Sequence, residues 1–233
     1  MKIAVWSGPR NLSTALMYSF ANRADFTAMD EPFYAPYLAA TGLDHPMSDA
    51  ILTAHETGPQ RVAIACANDG EKAHKYMKHM PHHMLDGFPL DWTKNCVNIH
   101  LIRHPARVIA SYAAKRENPT LDDVGYPQQL ALYEQIGGHI VDSFEIRQQP
   151  EKALKKLCSM IGIPFDSAML SWSIGPRRFD GIWASHWYRA VHQSTGFVGP
   201  EGDLPELVGP HRALCIETMP YYSKLLTKKR TLI

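Results

Sequence analysis

Short apolar runs alternate along this chain with segments in which apolar residues recur at helical spacing. The runs that predict strands cover residues 3–6, 26–29, 74–80, 96–104 and 139–144. The segments that predict helices cover residues 13–23, 48–56, 61–67, 106–116 and 150–161. This order favours a mainly parallel sheet of about four or five strands with helices on both faces. Ligands of such sheets bind at the carboxyl ends of the strands.

The least regular part of the sequence covers residues 173–210 and is rich in Gly and Pro. We interpret it as a loop region that folds over a site. No internal repeat, low-complexity tract or linker divides the sequence, and the length suits a single core. We therefore predict one α/β domain that covers residues 1–233.

The composition is that of a globular protein and excludes several classes of partner. Apolar residues make up 45% of the 233 positions and charged residues 20%, which argues against a disordered or fibrous chain. The formal net charge is only +1, so no broad basic field exists for nucleic acid or an anionic membrane. We expect neither partner, and any anion site has to be local.

The cysteines and the apolar runs indicate a cytoplasmic protein. The four cysteines are widely spaced among apolar neighbours, which is typical of reduced, buried thiols and not of a zinc site: Cys66, Cys96, Cys158 and Cys215. No run has the length of a membrane span, and the first segment does not resemble a signal peptide. No carboxylate or cysteine lies at convincing ligand spacing from the histidines, so we expect no metal.

The first candidate site is "SGPRNLSTAL", residues 7–16, where a strand stops and a helix follows. The amino terminus of a helix offers unpaired N–H groups and a positive dipole end, which favour a bound phosphate or sulfate. Gly8 permits close approach of backbone, Arg10 supplies a forked cation, and Ser13 and Thr14 add neutral donors. The alternative is that the hydroxyls only cap the helix and that Arg10 makes a surface salt bridge.

A Walker A loop is the obvious comparison for this corner. That loop ends in Gly-Lys-Ser/Thr, whereas Ser13, Thr14 and Ala15 stand at those places here. The hydroxyl that holds magnesium is therefore missing. This disfavours hydrolysis of ATP or GTP, because transfer of the terminal phosphoryl group relies on that metal.

A second corner of the same kind follows the fourth predicted strand. In "LIRHPARVIASY", residues 101–112, Arg103 ends the strand and a proline starts a helix that carries Ser111. Both residues are expected at the ligand-binding edge of a parallel sheet. Two anion corners at one edge imply a ligand with two anionic ends.

The pair of motifs resembles the sulfotransferases that use 3′-phosphoadenosine 5′-phosphosulfate. "SGPRNLSTAL" is similar to their 5′-phosphosulfate loop, closest to the variant with Arg-x-x-Ser-Thr, and "LIRHPARVIASY" is similar to their 3′-phosphate motif. "QPEKALKKLCSMIGIPFD" resembles their helix after the last sheet strand, so the likeness covers most of residues 1–172. The resemblance implies a P-loop NTPase-like sulfotransferase fold.

The resemblance also implies the residues that hold this co-substrate. Arg103 and Ser111 would bind the 3′-phosphate. The 5′-phosphosulfate would be held, partly through backbone N–H groups, by Arg10, Asn11, Leu12, Ser13 and Thr14.

Two features depart from the family pattern. Pro9 and Asn11 stand where many members have small or hydroxyl residues. The carboxy-terminal Arg-Lys-Gly loop that completes the 3′-phosphate site is absent. Two pairs are candidates to replace it, namely Ser194 with Thr195, or Arg177 with Arg178.

Glu31 is the leading candidate for the base that removes a proton from the acceptor. It follows the second predicted strand, where a subset of the resembled family has a catalytic glutamate. Asp30 is the neighbouring alternative, and we expect only one of the two to face inward. The plainer interpretation of Glu31 is a solvated loop acid or a cap before Pro32.

"YMKHMPHH" offers a competing set. Many cytosolic sulfotransferases have Lys-Thr-His-x-Pro at the end of a comparable strand, and this sequence is one residue short of that pattern. Lys78 is predicted to stabilise the leaving phosphate, whereas His79, as a base, would point to the other face of an extended strand. We interpret His82 and His83 as a surface cluster or a helix start.

An aromatic group towards the end of the chain has two interpretations: Trp172, Trp183, Trp187 and Tyr188. These side chains either line an acceptor or adenine pocket or, as is more common, belong to the core.

The function that these motifs favour is transfer of a sulfuryl group from 3′-phosphoadenosine 5′-phosphosulfate to a hydroxyl or amine of a small acceptor. Glu31 and Lys78 would be the catalytic residues. One alternative is a P-loop-like phosphotransferase or hydrolase, which needs magnesium and binds ATP. The other is a non-catalytic nucleotide-binding protein that has both anion corners but no working base.

Overall fold

The centre of the computed structural model, which describes residues 1–114 and 118–233, is a five-stranded sheet. The strands are β1 (Lys2–Trp6), β2 (Phe26–Asp30), β3 (His74–His79), β4 (Val97–Ile102) and β5 (His139–Asp142). They are ordered β2-β3-β1-β4-β5, and every neighbouring pair is parallel. The predicted parallel α/β sheet and its strand number are confirmed.

Helices connect the strands. They are α1 (Ser13–Ala21), α2 (Tyr34–Thr41), α3 (Ser48–Ala54), α4 (Pro59–Ala67), α5 (Pro105–Ala113), α6 (Leu121–Val124), α7 (Tyr126–Ile136), α8 (Ser143–Gln148), α9 (Pro150–Ile161), α10 (Ala184–Trp187), α11 (Arg189–His192) and α12 (Gly209–Leu226). Short 3₁₀ turns are described at Pro81–His83, Asp91–Asn95 and Ser167–Leu170.

The central strand β1 is buried on both faces. Ile3 and Val5 belong to the apolar cluster that includes residues of α1 and α9, whereas Ala4 and Trp6 belong to the cluster that includes residues of α4. All four side chains are fully buried. Since successive residues of a strand point to opposite faces, the sheet carries helices on both sides.

Two boundaries of the structure differ from the predicted ones, and both lie at the start of a helix. The strand predicted over 139–144 stops at Asp142, whose carboxylate accepts a hydrogen bond from the N–H of Phe144 at 2.9 Å and so caps α8. The helix predicted over 106–116 begins at Pro105 and is described as far as Ala113. Its predicted end, residues 115–116, lies outside the described residues.

The pattern of apolar residues did not predict seven of the described helices, namely α2, α6, α7, α8, α10, α11 and α12. Pro36 lies in α2 and Pro220 inside α12, and prolines normally end a helix. In α12 the burial comes from contacts with α5 and α7, which only the folded chain supplies.

The described residues carry no sign of a disulfide, a metal cluster or a membrane span. The cysteines are free, with Cys66 and Cys158 buried and Cys96 and Cys215 half-buried. Within residues 1–114 and 118–233, no group of three or more His, Cys, Asp or Glu side chains is placed to hold a metal ion. Over the same ranges, no helix has both the length and the apolar character that crossing a bilayer requires.

Candidate active site

The loop of residues 7–12 joins β1 to α1 at the carboxyl edge of the sheet, between the ends of β3 and β4. Arg10 and Leu12 have left-handed backbone conformations, with φ of 61° and 68°. Leu12 occupies the N-cap position of α1, and no side-chain hydrogen bond from a described residue caps this helix. Ser13 and Thr14 are therefore not caps. The first N–H groups of α1 are available to an anion.

Gly8 and Asn11 place this loop against α6 and the sheet. A Cβ atom on Gly8 would lie 2.5 Å from the carbonyl oxygen of Val124, so the glycine is required by the close approach of α6. The expected role of Gly8 was approach to a ligand. Asn11 is buried and donates a hydrogen bond from Nδ2 to the carbonyl of Leu101 at 3.4 Å. Its side chain thus faces β4, which leaves its backbone N–H group for a ligand.

The two predicted anion corners adjoin each other. The Nε atom of Arg10 donates a hydrogen bond to the Oγ atom of Ser111 at 2.9 Å, and Nη1 of Arg103 donates to the carbonyl of Arg10 at 2.7 Å. Burial, with the charge of Arg103, lowers the pKa of Arg10. The structure therefore concentrates positive charge where β1 and β4 end.

Arg103 also belongs to a cluster of arginines around one carboxylate. Its Nη2 atom lies 2.6 Å from Oε1 of Glu201, and Nη1 of Arg147 lies 2.8 Å from the same oxygen. The Nε atom of Arg107 lies 2.8 Å from Oε2. The Glu201 side chain is 1% exposed. We call Arg103, Arg107, Arg147 and Glu201 the arginine cluster.

A second charged group lies on the other side of β1, where β2 and β3 end. Asp30 and Lys78 are direct partners in the β2–β3 register. Lys78 Nζ donates hydrogen bonds to Asp30 Oδ1 at 3.2 Å, to Glu31 Oε1 and to the hydroxyl of Tyr188 at 2.5 Å. The Tyr188 hydroxyl donates to Asp30 Oδ1 at 2.8 Å. We call these four residues the acid–lysine cluster.

Burial and pairing act in opposite directions on the acid–lysine cluster. Burial raises the pKa of Asp30 to about 6, although the charge of Lys78 opposes the rise. Burial works to lower the pKa of Lys78, but the charges of Asp30 and Glu31 outweigh it, so the pKa is raised. The expectation that only one of the two acids faces inward is wrong, because both contact Lys78 and both are buried.

Glu31 has an unusual backbone conformation. Its φ is 40°, although it carries a side chain, and its N–H group donates to the carbonyl of Lys78 at 2.9 Å. A non-glycine residue in this region is strained by about 1–3 kcal/mol and is held there by its surroundings. These contacts fix the Glu31 carboxylate at the strand end, and the interpretation as a solvated loop acid is wrong.

His79 lies on the opposite face of β3 from Lys78, as the alternation predicts. Its ring stacks on Trp6 with centroids 4.3 Å apart and lies 5.1 Å from the ring of Trp92. Burial, with the charges of Lys75 and Lys78, lowers its pKa to about 3. His79 is therefore a neutral core residue that does not contact the acid–lysine cluster.

The prediction of a surface position for His82 and His83 is wrong for His83, although the predicted helix start is present. The two residues lie in the 3₁₀ turn Pro81–His83. His83 is buried, and its ring stacks on Tyr34 with centroids 4.5 Å apart. The aromatic residues of α2, a helix that the sequence did not predict, cover this turn.

The irregular region 173–210 folds over both clusters. Tyr188 comes from this region, as does the N–H group of Gly181, which donates to Asp30 Oδ2 at 3.1 Å. Trp172, Trp183 and Tyr188 belong to the main core cluster, and Trp187 packs against it. The core interpretation of these aromatic residues therefore holds.

The two pairs expected to replace the missing Arg-Lys-Gly loop have other contacts. Ser194 Oγ accepts a hydrogen bond from Trp172 Nε1 at 3.2 Å. The Arg177 guanidinium lies 5.6 Å from the centre of the Tyr18 ring. Instead, the structure brings Arg107, Arg147 and Glu201 to Arg103.

Part of this missed set was visible in the sequence. Arg107 lies four residues after Arg103 inside the second motif, in the first turn of α5. Arg147 lies in α8, directly after the strand next to β4. Tyr188 was named only as one of four aromatic residues with a pocket or core role, and Glu201 was not named, because their region lacks both strand and helix periodicity.

The likeness to solved structures agrees with this fold. The sulfotransferase domain from the curacin biosynthetic pathway has 16% sequence identity, a TM-score of 0.55 and coverage of 98% of both chains. A sulfotransferase from Alicyclobacillus acidocaldarius has 11% identity and a TM-score of 0.56, and the match covers 98% of this chain and 96% of that one. At these identities the likeness shows the fold alone.

A curated relative is similar in sequence over nearly the whole chain. The "branched-chain-amino-acid aminotransferase-like protein 1" of Arabidopsis thaliana is 37% identical over 226 residues, which cover 94% of this chain. The chain spans 40% of the length of that relative. The profile of a family described as "Sulfotransferase domain" matches residues 1–230. The chain therefore belongs to this sulfotransferase-domain family.

Proposed function

We propose that the chain transfers a sulfuryl group from 3′-phosphoadenosine 5′-phosphosulfate to a hydroxyl or amine of a small acceptor. The observation that carries the proposal is the arrangement around β1. Its loop has the positive corner of Arg10, Arg103 and Ser111 on one side and the buried pair of Glu31 and Lys78 on the other. Membership of the sulfotransferase family supports this reaction class.

The residues at the positive corner fit a nucleotide with two anionic ends. The N–H groups at the start of α1, around Ser13 and Thr14, and the charge of Arg10 suit the 5′-phosphosulfate. Arg103 and Ser111 suit the 3′-phosphate, because a guanidinium binds phosphate oxygens in pairs. When bound, this co-substrate supplies the activated sulfuryl group and a phosphate leaving group.

Glu31 is proposed to remove the proton of the acceptor. Its position is fixed by the strained backbone and by Lys78, so little reorganisation is needed when an acceptor arrives. An ammonium group has three donors, and those of Lys78 go to Asp30, Glu31 and Tyr188. Lys78 therefore orients Glu31 and balances its charge, and it serves the leaving phosphate only after giving up one of these contacts.

Calorimetry with 3′-phosphoadenosine 5′-phosphate tests the positive corner. Arg103→Ala is expected to weaken binding by roughly 10- to 100-fold, since hydrogen bonds to charged groups contribute about 1.5–3 kcal/mol. The control is Arg61→Ala, at an exposed arginine paired with Glu56, which should bind like the wild type.

Two outcomes would reject the proposal. One is binding of the bisphosphate that is absent or unchanged by Arg103→Ala. The other is tighter binding of ATP with magnesium than of the bisphosphate, which would favour a phosphotransferase.

A further inference from the structure

We infer that Arg103, Arg107 and Arg147 form one binding site for a phosphate dianion, and that Glu201 is an internal competitor that leaves this site when the phosphate binds. The inference rests on the proposed function, because that function assigns Arg103 to the 3′-phosphate of the nucleotide. It adds two arginines to this site and gives Glu201 a role.

The Glu201 carboxylate occupies the place of a bound anion. Its two oxygens lie within 2.6–2.8 Å of nitrogen atoms from three guanidinium groups. With 1% of its side chain exposed, it is enclosed almost as completely as a ligand. Clusters of arginines around one anion are typical of phosphate recognition.

The Glu201 carboxylate satisfies the hydrogen-bond donors and the charge of the three arginines only in part. Arg107 Nε lies 2.8 Å from Oε2, but Oε2 has no aligned hydrogen bond from any described residue. The Nε atom of Arg103 is also buried, again with no hydrogen-bond partner among the described residues. Three guanidinium groups thus face a single negative charge. A terminal phosphate brings three acceptor oxygens and nearly two charges, so it fits the donors better than a carboxylate.

The segment that carries Glu201 is exposed on either side of that residue. We call residues 199–203 the strap. Arg147 donates to the carbonyl of Gly199 at 2.7 Å, and Arg107 donates to the carbonyl of Gly202 at 2.5 Å. A Cβ atom added at either glycine would meet no atom of the described residues within 4 Å. The arginines thus hold a strap that is exposed apart from Glu201, so its displacement would not disturb the core.

The opposite role for Glu201 is to hold the arginines in place for the phosphate. The two roles differ in sign. A competitor lowers the affinity for phosphate, and its removal raises that affinity, because the apparent dissociation constant includes the cost of freeing the site. A positioning residue raises the affinity, and its removal lowers it. A gain in affinity is also the clearer result, because a misfolded variant would not bind the phosphate more tightly.

The first test compares Glu201→Gln with wild type by calorimetry. The probes are 3′-phosphoadenosine 5′-phosphate and adenosine 5′-monophosphate, which lacks the 3′-phosphate. We expect Glu201→Gln to bind the bisphosphate about tenfold tighter or more, with unchanged affinity for the monophosphate. Glu206→Gln is the control, because it makes the same change at an exposed glutamate of the same region.

The outcomes separate the inference from the proposed function. Wild-type binding of the bisphosphate, with equal or weaker binding by Glu201→Gln, overturns the inference and leaves the proposed function standing. No binding by wild type, Glu206→Gln or Glu201→Gln overturns the proposed function and the inference together.

The second test uses the wild-type chain and remains decisive if Glu201→Gln does not fold. A glutamate-specific protease cleaves after exposed glutamates, and mass spectrometry separates the products. The bisphosphate is expected to speed cleavage after Glu201 severalfold relative to cleavage after Glu206, and the monophosphate is expected to have no effect. Slower or unchanged cleavage after Glu201 in the presence of bound bisphosphate overturns the inference.

Discussion

Lys78 is the buried charge on which the acid–lysine cluster depends. Replacing it by Met leaves the carboxylates of Asp30 and Glu31 next to each other without a cation, and removal of one partner from a buried ion pair costs about 3–5 kcal/mol. We expect Lys78→Met to lower the free energy of unfolding at pH 7 by this amount in urea titrations. Lys94→Met, at an exposed lysine, should leave it unchanged.

The pH dependence of the Lys78→Met variant follows from Asp30. The pKa of Asp30 is already raised to about 6 by burial, against the opposing charge of Lys78, so loss of Lys78 raises it further. At pH 5 the Asp30 carboxyl of the variant is protonated and no longer repels Glu31. The deficit against wild type should therefore be smaller at pH 5 than at pH 7. An equal deficit at both values would contradict this account of the cluster.

Glu31→Gln tests the proposed base. The amide has the shape of the carboxylate but does not accept a proton, and general bases contribute about 10²–10⁴-fold to rate. We expect sulfuryl transfer from the labelled co-substrate to a panel of phenols, alcohols and amines to fall by this factor. Binding of 3′-phosphoadenosine 5′-phosphate should be unchanged, because the positive corner is intact. A variant as active as wild type would assign the proton to another group.

Among the secondary-structure elements, those with a clear period or a proline or glycine boundary were predictable from the sequence. The strand around Val5 is a continuous apolar run, the strand around Ile99 is rich in apolar residues, and one corner follows each directly. The side-by-side position of Arg10 and Ser111 then follows from the neighbouring positions of β1 and β4 in the sheet. The spacing of apolar residues did not predict α12, because its packing partners α5 and α7 lie about a hundred residues earlier in the sequence.

In the candidate site as well, only the residues next to predictable strands could be found from the sequence. Glu31 and Lys78 were predicted because each lies close to the end of a predicted strand, where the resemblance to the sulfotransferases implies a catalytic residue. Tyr188 and Glu201 reach the site from an aperiodic region, so their places are set by tertiary contacts alone. Sequence reasoning also expected one inward acid, because it could not foresee that a buried lysine and tyrosine accommodate two.

Gly8 links the β1–α1 loop to α6. In Gly8→Ala, the new Cβ atom would lie 2.5 Å from a backbone oxygen of Val124, so the loop or α6 has to move. Overpacking of this kind costs about 1–3 kcal/mol of stability. The shifted loop should also bind 3′-phosphoadenosine 5′-phosphate more weakly. Gly202→Ala is the control for stability, since a Cβ atom there has open space. Full stability of Gly8→Ala would show that the contact is not rigid.

Across the whole molecule, buried ionisable groups have two opposite effects on the stability of the fold at low pH. Burial lowers the pKa of His79 to about 3 and those of His82 and His100 to about 4. Their contribution to stability is complete above the unfolded value of 6.5 and is lost as the pH falls below it. Burial raises the pKa of Asp30 and of Asp142 to about 6, and these acids act in the opposite sense.

His79→Phe isolates one of these contributions. The substitution retains an aromatic ring in contact with Trp6 and Trp92 and removes a group whose protonation opposes folding. Between pH 7 and pH 5, a buried neutral histidine with this pKa lowers the free energy of unfolding of the wild type by about 2 kcal/mol. The loss is about 1.36 kcal/mol for each pH unit below the pKa of the unfolded state. The acids are unchanged in the variant, so their effect on stability cancels in the comparison.

We therefore expect the free energy of unfolding of His79→Phe to depend less on pH than that of wild type, by about this amount. The control His186→Gln, at an exposed histidine, should behave as wild type. Parallel curves for His79→Phe and wild type would mean that His79 is protonated without unfolding, which would contradict its assignment as a neutral core residue.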